Sequence, residues 1–167
     1  MFPSHFQTDR LTLRPIAPND AQPIFDGYAQ DPEVTRFLTW RPHCALDDAM
    51  AYVQRCMAAT TSRTYVLTGL HDQKLIGTFD LRHDRPHSLG YGCVLARSAW
   101  GKGLMTEALL EVSRWALLQP AIWRIGDCCD VENHASARVM EKAGMTFEGT
   151  ARGGSGNSDS TIGGFPA

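Results

Sequence analysis

What this 167-residue chain has little of narrows its function before any motif is considered. No apolar run approaches the roughly 20 residues needed to span a bilayer, so no membrane partner is expected. There is no basic excess: 16 Lys and Arg stand against 18 Asp and Glu, a formal net charge of -2. Nucleic-acid binders usually carry such an excess, so no nucleic-acid partner is expected either. Met1-Phe2-Pro3-Ser4-His5 lacks the basic and apolar regions of a signal peptide, which points to a cytoplasmic protein. The five cysteines, Cys44, Cys56, Cys93, Cys128 and Cys129, are odd in number and show no CxxC spacing, so they read as reduced thiols. His83 and His87 are four apart but flank Asp84-Arg85-Pro86, which reads as a turn, and no third ligand accompanies them. No metal is expected. Two nucleotide signatures are missing as well. No GK[ST] closes a phosphate loop, and no GxGxxG is followed by an acidic residue near position 120.

What remains is one domain's length, 43% hydrophobic and 20% charged, ordinary values for a globular chain. Arg10 to Ile16 alternates polar and apolar residues and reads as a strand. Asn19 or Asp20 caps a short helix, and Leu46 to Ala58 carries an apolar face of Leu46, Ala49, Met50, Val53 and Met57. Strands follow at Tyr65 to Leu67, Leu75 to Phe79 and Tyr91 to Ala96. Gly103 to Leu118 is the strongest helix and Pro120 stops it. Ile122 to Cys128 is an apolar strand. Asn133 to Ala143 is a helix capped by Asn133 and stopped by Gly144, and a strand starts at Met145. The order is that of a mixed α/β sheet. Ala151 to Ser160 is almost all small and polar and reads as flexible linker, not strand.

The chemistry is concentrated where a strand enters a loop that opens the strongest helix, Val94 to Ala108. Gly101 and Gly103 free the backbone, and the following helix offers unpaired N–H groups and the positive end of its dipole. That combination binds phosphate; it also occurs as a plain tight turn. Lys102 either adds charge there or is simply solvated. A second segment, Asn133-His134-Ala135-Ser136-Ala137-Arg138-Val139-Met140-Glu141-Lys142-Ala143-Gly144, lies on the later helix.

Together, Trp100-Gly101-Lys102-Gly103 with Thr106-Glu107-Ala108-Leu109, and Asn133 to Gly144, resemble the GNAT acetyltransferase family, in particular its RimJ/RimL-like branch, which includes ribosomal-protein N-acetyltransferases. Thr8-Asp9-Arg10-Leu11-Thr12-Leu13-Arg14 is similar to the first strand of that branch. The resemblance covers residues 8–150 and leaves 151–167 as an atypical Gly/Ser-rich tail, short by one strand of the family's sheet. It implies an α/β (α+β) three-layer sandwich, with a mixed, mostly antiparallel sheet whose splayed parallel strand pair holds acetyl-CoA.

The resemblance also assigns roles. The backbone of Val94 and Leu95 would pair with pantetheine, and Gly101, Lys102, Gly103, Leu104 and Met105 would hold the pyrophosphate. Asn133 would bond pantetheine, and Arg138 either reaches a CoA phosphate or is solvated. The acceptor would be a primary amine, on a small molecule or a protein N-terminus, attacking the thioester directly. Many relatives place a Tyr where this chain has Met140, so Ser136 becomes the proton donor to the leaving thiolate. Many also carry a carboxylate where this chain has Gly90, which leaves Asp80 and Glu148 as candidate bases acting through water. Phe37 to His43, with Trp40 and Arg41, would border the acceptor pocket. The resemblance also allows a homodimer. The alternative is an acetyl-CoA-binding protein of the same fold with little or no catalysis.

Overall fold

The structure is a computed structural model that describes residues 2–155 and 158–166. The elements in chain order are β1 (Phe6–Gln7), β2 (Leu11–Pro15), α1 (Ala21–Ile24), α2 (Pro32–Thr35), α3 (Leu46–Ala58), β3 (Ser62–Gly69), β4 (Leu75–Arg85), β5 (Ser88–Leu95), α4 (Leu104–Leu117), β6 (Arg124–Asp130), α5 (His134–Lys142), β7 (Thr146–Ser155) and β8 (Ser158–Pro166). The strands form one mixed sheet in the order β1-β2-β3-β4-β5-β6-β8-β7. The fold is α/β, with antiparallel pairings on either side of a parallel β5/β6 pair, as expected.

The chain forms two compact units, one of Met1–Arg82 with Gly92–Leu104 and one of His83–Tyr91 with Met105–Ala167. In the first, β1 to β4 make an antiparallel meander. Leu11 and Leu13 of β2 share a face with Leu67 of β3, Val66 points to the opposite face, and all four are buried, so both faces of the sheet are covered. The apolar stripe of α3 delivers Ala49 and Val53 to the same core as Ile16, Ile24, Tyr28 and Val34. Met50 and Met57, also expected on that face, are about half exposed, so the stripe is narrower than its apolar residues suggest. Asp20 is 2% exposed, and its charge is offset in place. Its carboxylate accepts two hydrogen bonds from Arg14, at 2.6 and 2.8 Å, and one from the Ala17 N–H at 2.7 Å. Burying a charge is tolerable only with such partners.

In the second unit β5 and β6 run parallel, registered at Ser88 with Arg124 and Leu89 with Ile125. Strand β8 lies between β6 and β7 and pairs antiparallel with both. This corrects the reading of residues 151–155 and 158–160 as linker; Gly156 and Asn157, part of the same reading, lie outside the described residues. The chain stays extended and paired through Ser155 and from Ser158 onward. Farther along the same Gly/Ser-rich tail, Gly163 and Gly164 answer to close approach. A Cβ at Gly164 would meet Arg124 Nη2 at 2.7 Å, and one at Gly163 would meet Met140 Sδ at 3.4 Å. Ser160, counted above as a linker residue, is fully buried. A second correction concerns Asp84-Arg85-Pro86. Strand β4 runs on through Arg85 and β5 begins at Ser88, so the turn shrinks to Pro86 and His87, with His87 at φ 62°.

The tightest backbone approach is at Gly77 of β4. A Cβ there would sit 2.1 Å from the Val94 carbonyl oxygen and 3.1 Å from the Leu95 Cα. Beside it the Ala96 N–H donates to the Ile76 carbonyl at 2.8 Å. Because the obstacle is backbone, no rotamer change relieves it. Gly77→Ala is expected to destabilise the fold by about 2–4 kcal/mol, read as a lowered urea midpoint at unchanged m-value. Wild-type stability in this variant would refute the packing argument.

Candidate functional site

In the first unit, β5 delivers Val94 and Leu95 to a short turn at Arg97–Ala99, and residues 100–103 lead into α4 at Leu104. Gly101 and Gly103 have φ of 73° and 72°, a region side chains rarely adopt, so both glycines are required by the path of the loop. The loop is braced from within. The Trp100 indole N–H donates to the Leu95 carbonyl at 2.8 Å, and the Lys102 ammonium donates to the Ser98 carbonyl at 2.8 Å. Lys102 is therefore neither a plain solvated charge nor aimed outward as a simple anion ligand. Its amine closes the turn. One guanidinium nitrogen of Arg97 donates to Asp31 at 2.5 Å and another at 2.9 Å. Arg97 holds the Asp31 carboxyl below its ordinary range.

The Phe37 to His43 segment packs as rings. Trp40 lies 4.7 Å from His43 and 5.8 Å from Tyr52, centroid to centroid, and His43 lies 6.1 Å from Tyr52. The Tyr52 and Tyr28 hydroxyls both reach Thr78 Oγ1, at 3.4 and 3.3 Å. Burial pushes both phenols up, so they stay protonated. His43 is buried and its Nδ1 has no hydrogen-bond partner among the described residues. Burial pushes the imidazole pKa down, which keeps it neutral. Asp80 on β4 accepts a hydrogen bond from the Thr64 hydroxyl at 2.9 Å and lies 3.8 Å from Arg82. It faces the Gly92 position on β5, where a Cβ would be 4.0 Å from its own.

In the second unit Met105 is buried in the first turn of α4. Asn133 caps α5 as expected, its side-chain oxygen accepting the Ser136 N–H at 3.1 Å. Ser136 is partly buried, and burial pushes the Cys129 thiol of β6 up. Cys128, the next residue along β6, is exposed while Cys129 is buried, so the two point to opposite faces. Met140 is buried, packed over Gly163. Arg138 is exposed on α5. Glu148 on β7 pairs with Arg124 at 2.5 Å. The structure thus groups Val94, Leu95, Gly101, Lys102, Gly103 and Leu104 with Asp80 in one unit. Met105, Asn133, Ser136, Arg138 and Glu148 belong to the other.

The family described as an acetyltransferase (GNAT) domain matches residues 10–146. The chain belongs to the GNAT acetyltransferase family. It is accordingly an acetyl-CoA-dependent N-acetyltransferase. The chain is 29% identical over 159 residues to the N-acetyltransferase YoaA of Bacillus subtilis (strain 168), covering 91% of this chain and 88% of YoaA. Among solved structures it is similar to a GNAT-family acetyltransferase of Bacillus anthracis, with a TM-score of 0.87 at 23% identity over 97% of this chain and 98% of the other. It is also similar in fold to the spermidine N-acetyltransferase of Vibrio cholerae, solved with CoA and spermine, with a TM-score of 0.79 at 17% identity over 95% and 96% of the two chains.

Sequence reasoning named Trp100 only as part of a motif and gave Gly77 no role. The loop's need for a brace at its one aromatic residue was the available signal for Trp100. Nothing local marked Gly77, because its constraint comes from a strand 17 residues on.

The buried His43 has a pH signature. Its folded pKa lies below the ordinary 6.5, so as pH falls through 6.5 the unfolded chain takes up a proton that the folded chain refuses. Stability is therefore expected to drop below pH 6.5 and level off once pH is below the folded value. His43→Phe should flatten that slope in urea titrations across the range. An unchanged slope would rule out His43 as its source.

Proposed function

We propose that the protein transfers the acetyl group of acetyl-CoA to a primary amine, on a small molecule or a protein N-terminus, by direct attack in a ternary complex. The observation that carries this reading is the braced loop with Gly101 and Gly103 at positive φ, opening directly into α4. In this reading Gly101, Lys102, Gly103, Leu104 and Met105 bind the pyrophosphate through backbone N–H groups, and the backbone at Val94 and Leu95 pairs with pantetheine. Asn133 contributes its amide to pantetheine while its oxygen caps α5, and Arg138 serves a CoA phosphate. The same reading makes the chain a cytoplasmic, RimJ/RimL-like enzyme that could form a homodimer and has no nucleic-acid partner.

The neutral amine nitrogen attacks the thioester carbon, the tetrahedral intermediate collapses, and the C–S bond breaks. Ser136 donates a proton to the departing thiolate. Support for that role is its place: a partly buried hydroxyl in the first turn of α5, on the residue whose N–H the Asn133 side chain accepts. Of the two candidate bases, Asp80 suits proton removal through water better than Glu148, because its arginine, Arg82, stands off at 3.8 Å while Arg124 bonds Glu148 at 2.5 Å. The alternative, a CoA binder with weak turnover, is favoured by Met140, which is buried and cannot donate, and by the glycine at position 90.

Thiol release from acetyl-CoA across a panel of peptides and small amines tests the proposal. Ser136→Ala is expected to lower kcat about 10- to 100-fold while leaving calorimetric CoA affinity near wild type. Asp80→Asn should lower the rate more than Glu148→Gln. Tight CoA binding with no thiol release on any acceptor would favour the alternative.

A further inference from the structure

The Thr8 to Arg14 motif is not exhausted by forming a strand. Its apolar members, Leu11 and Leu13, fill the core, and Arg14 neutralises the buried Asp20. Arg10 does neither. Its side chain is exposed and reaches 92 residues along the chain, where Nη1 donates to the Lys102 carbonyl at 2.9 Å. Its Nη2 is 3.8 Å from where a Cβ on Gly103 would be.

We propose that Arg10 is a positioning residue of the cofactor loop, orienting the Gly103 N–H for the CoA pyrophosphate. The inference rests on the reading of residues 101–105 as the pyrophosphate site. In a planar trans peptide the C=O of one residue and the N–H of the next point in opposite directions. Arg10 holds the Lys102 carbonyl, so it also sets the direction of the Gly103 N–H, away from the guanidinium. With glycine on both sides of Lys102, the backbone itself does little to stop this peptide plane from turning over. A flipped plane would present a carbonyl oxygen to the anion in place of a donor.

Arg10 is well placed to act as such a clamp because its own backbone is pinned. The Thr8 hydroxyl accepts the Leu11 N–H at 3.0 Å, the Thr8 N–H donates to the Leu11 carbonyl at 2.9 Å, and the Arg10 carbonyl accepts the Leu70 N–H at 2.9 Å. The first residues of the motif thus build a fixed base from which one long side chain reaches the loop. Lys102 spends its own ammonium on Ser98, so the fixed charge at this peptide comes from Arg10.

The test compares two ligands that share the pantetheine arm. Coenzyme A carries the pyrophosphate; pantetheine does not. Affinities are measured by calorimetry for CoA and by ligand-observed NMR titration for pantetheine, which registers millimolar binding. Arg10→Ala is expected to weaken CoA about tenfold and leave pantetheine unchanged, with Arg10→Lys in between. A loss shared equally by both ligands would show a merely structural role and overturn the proposal, and so would undiminished CoA binding in Arg10→Ala. Arg10→Lys keeps the charge and preserves the test if the alanine variant does not fold. Failure of the wild-type protein to bind CoA would sink the loop assignment itself, an outcome distinct from wild-type binding that Arg10 does not influence.

Discussion

The path of the chain out of β5 depends on a methyl group that is not there. At Gly77 the β4 backbone lies so close to Val94 that any side chain would overlap a carbonyl oxygen. That approach lets Ala96 hydrogen-bond back to Ile76, which fixes the end of β5 before the turn at Arg97–Ala99. From there each brace relies on the one before it. Arg97 is held by Asp31, Trp100 ties back to the Leu95 carbonyl, and Lys102 ties back to Ser98. A net contribution of about 1 kcal/mol per hydrogen bond makes each weak alone. Their value lies in closing a short, glycine-containing loop into one shape.

The loop is built to offer dipoles rather than side-chain charge. The lysine in the middle of it turns its ammonium inward to a carbonyl, and the arginine beside it takes another carbonyl out of play. What is left to meet an anion is a run of backbone N–H groups at the start of a 14-residue helix. Such a site needs no basic surface, which fits a chain whose overall charge is near neutral. On α5 the same economy holds: Asn133 caps the helix with its oxygen and keeps its amide N–H groups for other use.

Legibility followed the range of the forces involved. Helices α3, α4 and α5 could be read to within a residue or two because apolar spacing, Asn133 and Pro120 act locally. The glycines of the cofactor loop were legible for the same reason. The hairpin of β7 and β8 was not, because its residues are small and polar and gain their order from strands on either side. Gly163 and Gly164 are only part of a Gly/Ser-rich tail until Met140 and Arg124 are placed beside them. Arg10 and Gly77 were invisible as functional positions, since each acts on a partner far along the chain. Glu148 was legible as a carboxylate near a strand end, but not as the partner of Arg124.

The order β6-β8-β7 has a kinetic meaning. The strand that touches β6 is the second arm of the hairpin, so β7 ends up outermost although it precedes β8 in the chain. Local pairing closes faster than pairing across a long separation, and β7 is far nearer to β8 in sequence than β6 is. The pairing inside the hairpin is therefore the local one, and its pairing with β6 is the long-range one. The glycine pair of β8 leaves the room that Met140 and Arg124 occupy beside that ribbon, so a side chain at either position would act on the long-range pairing and not on the local one.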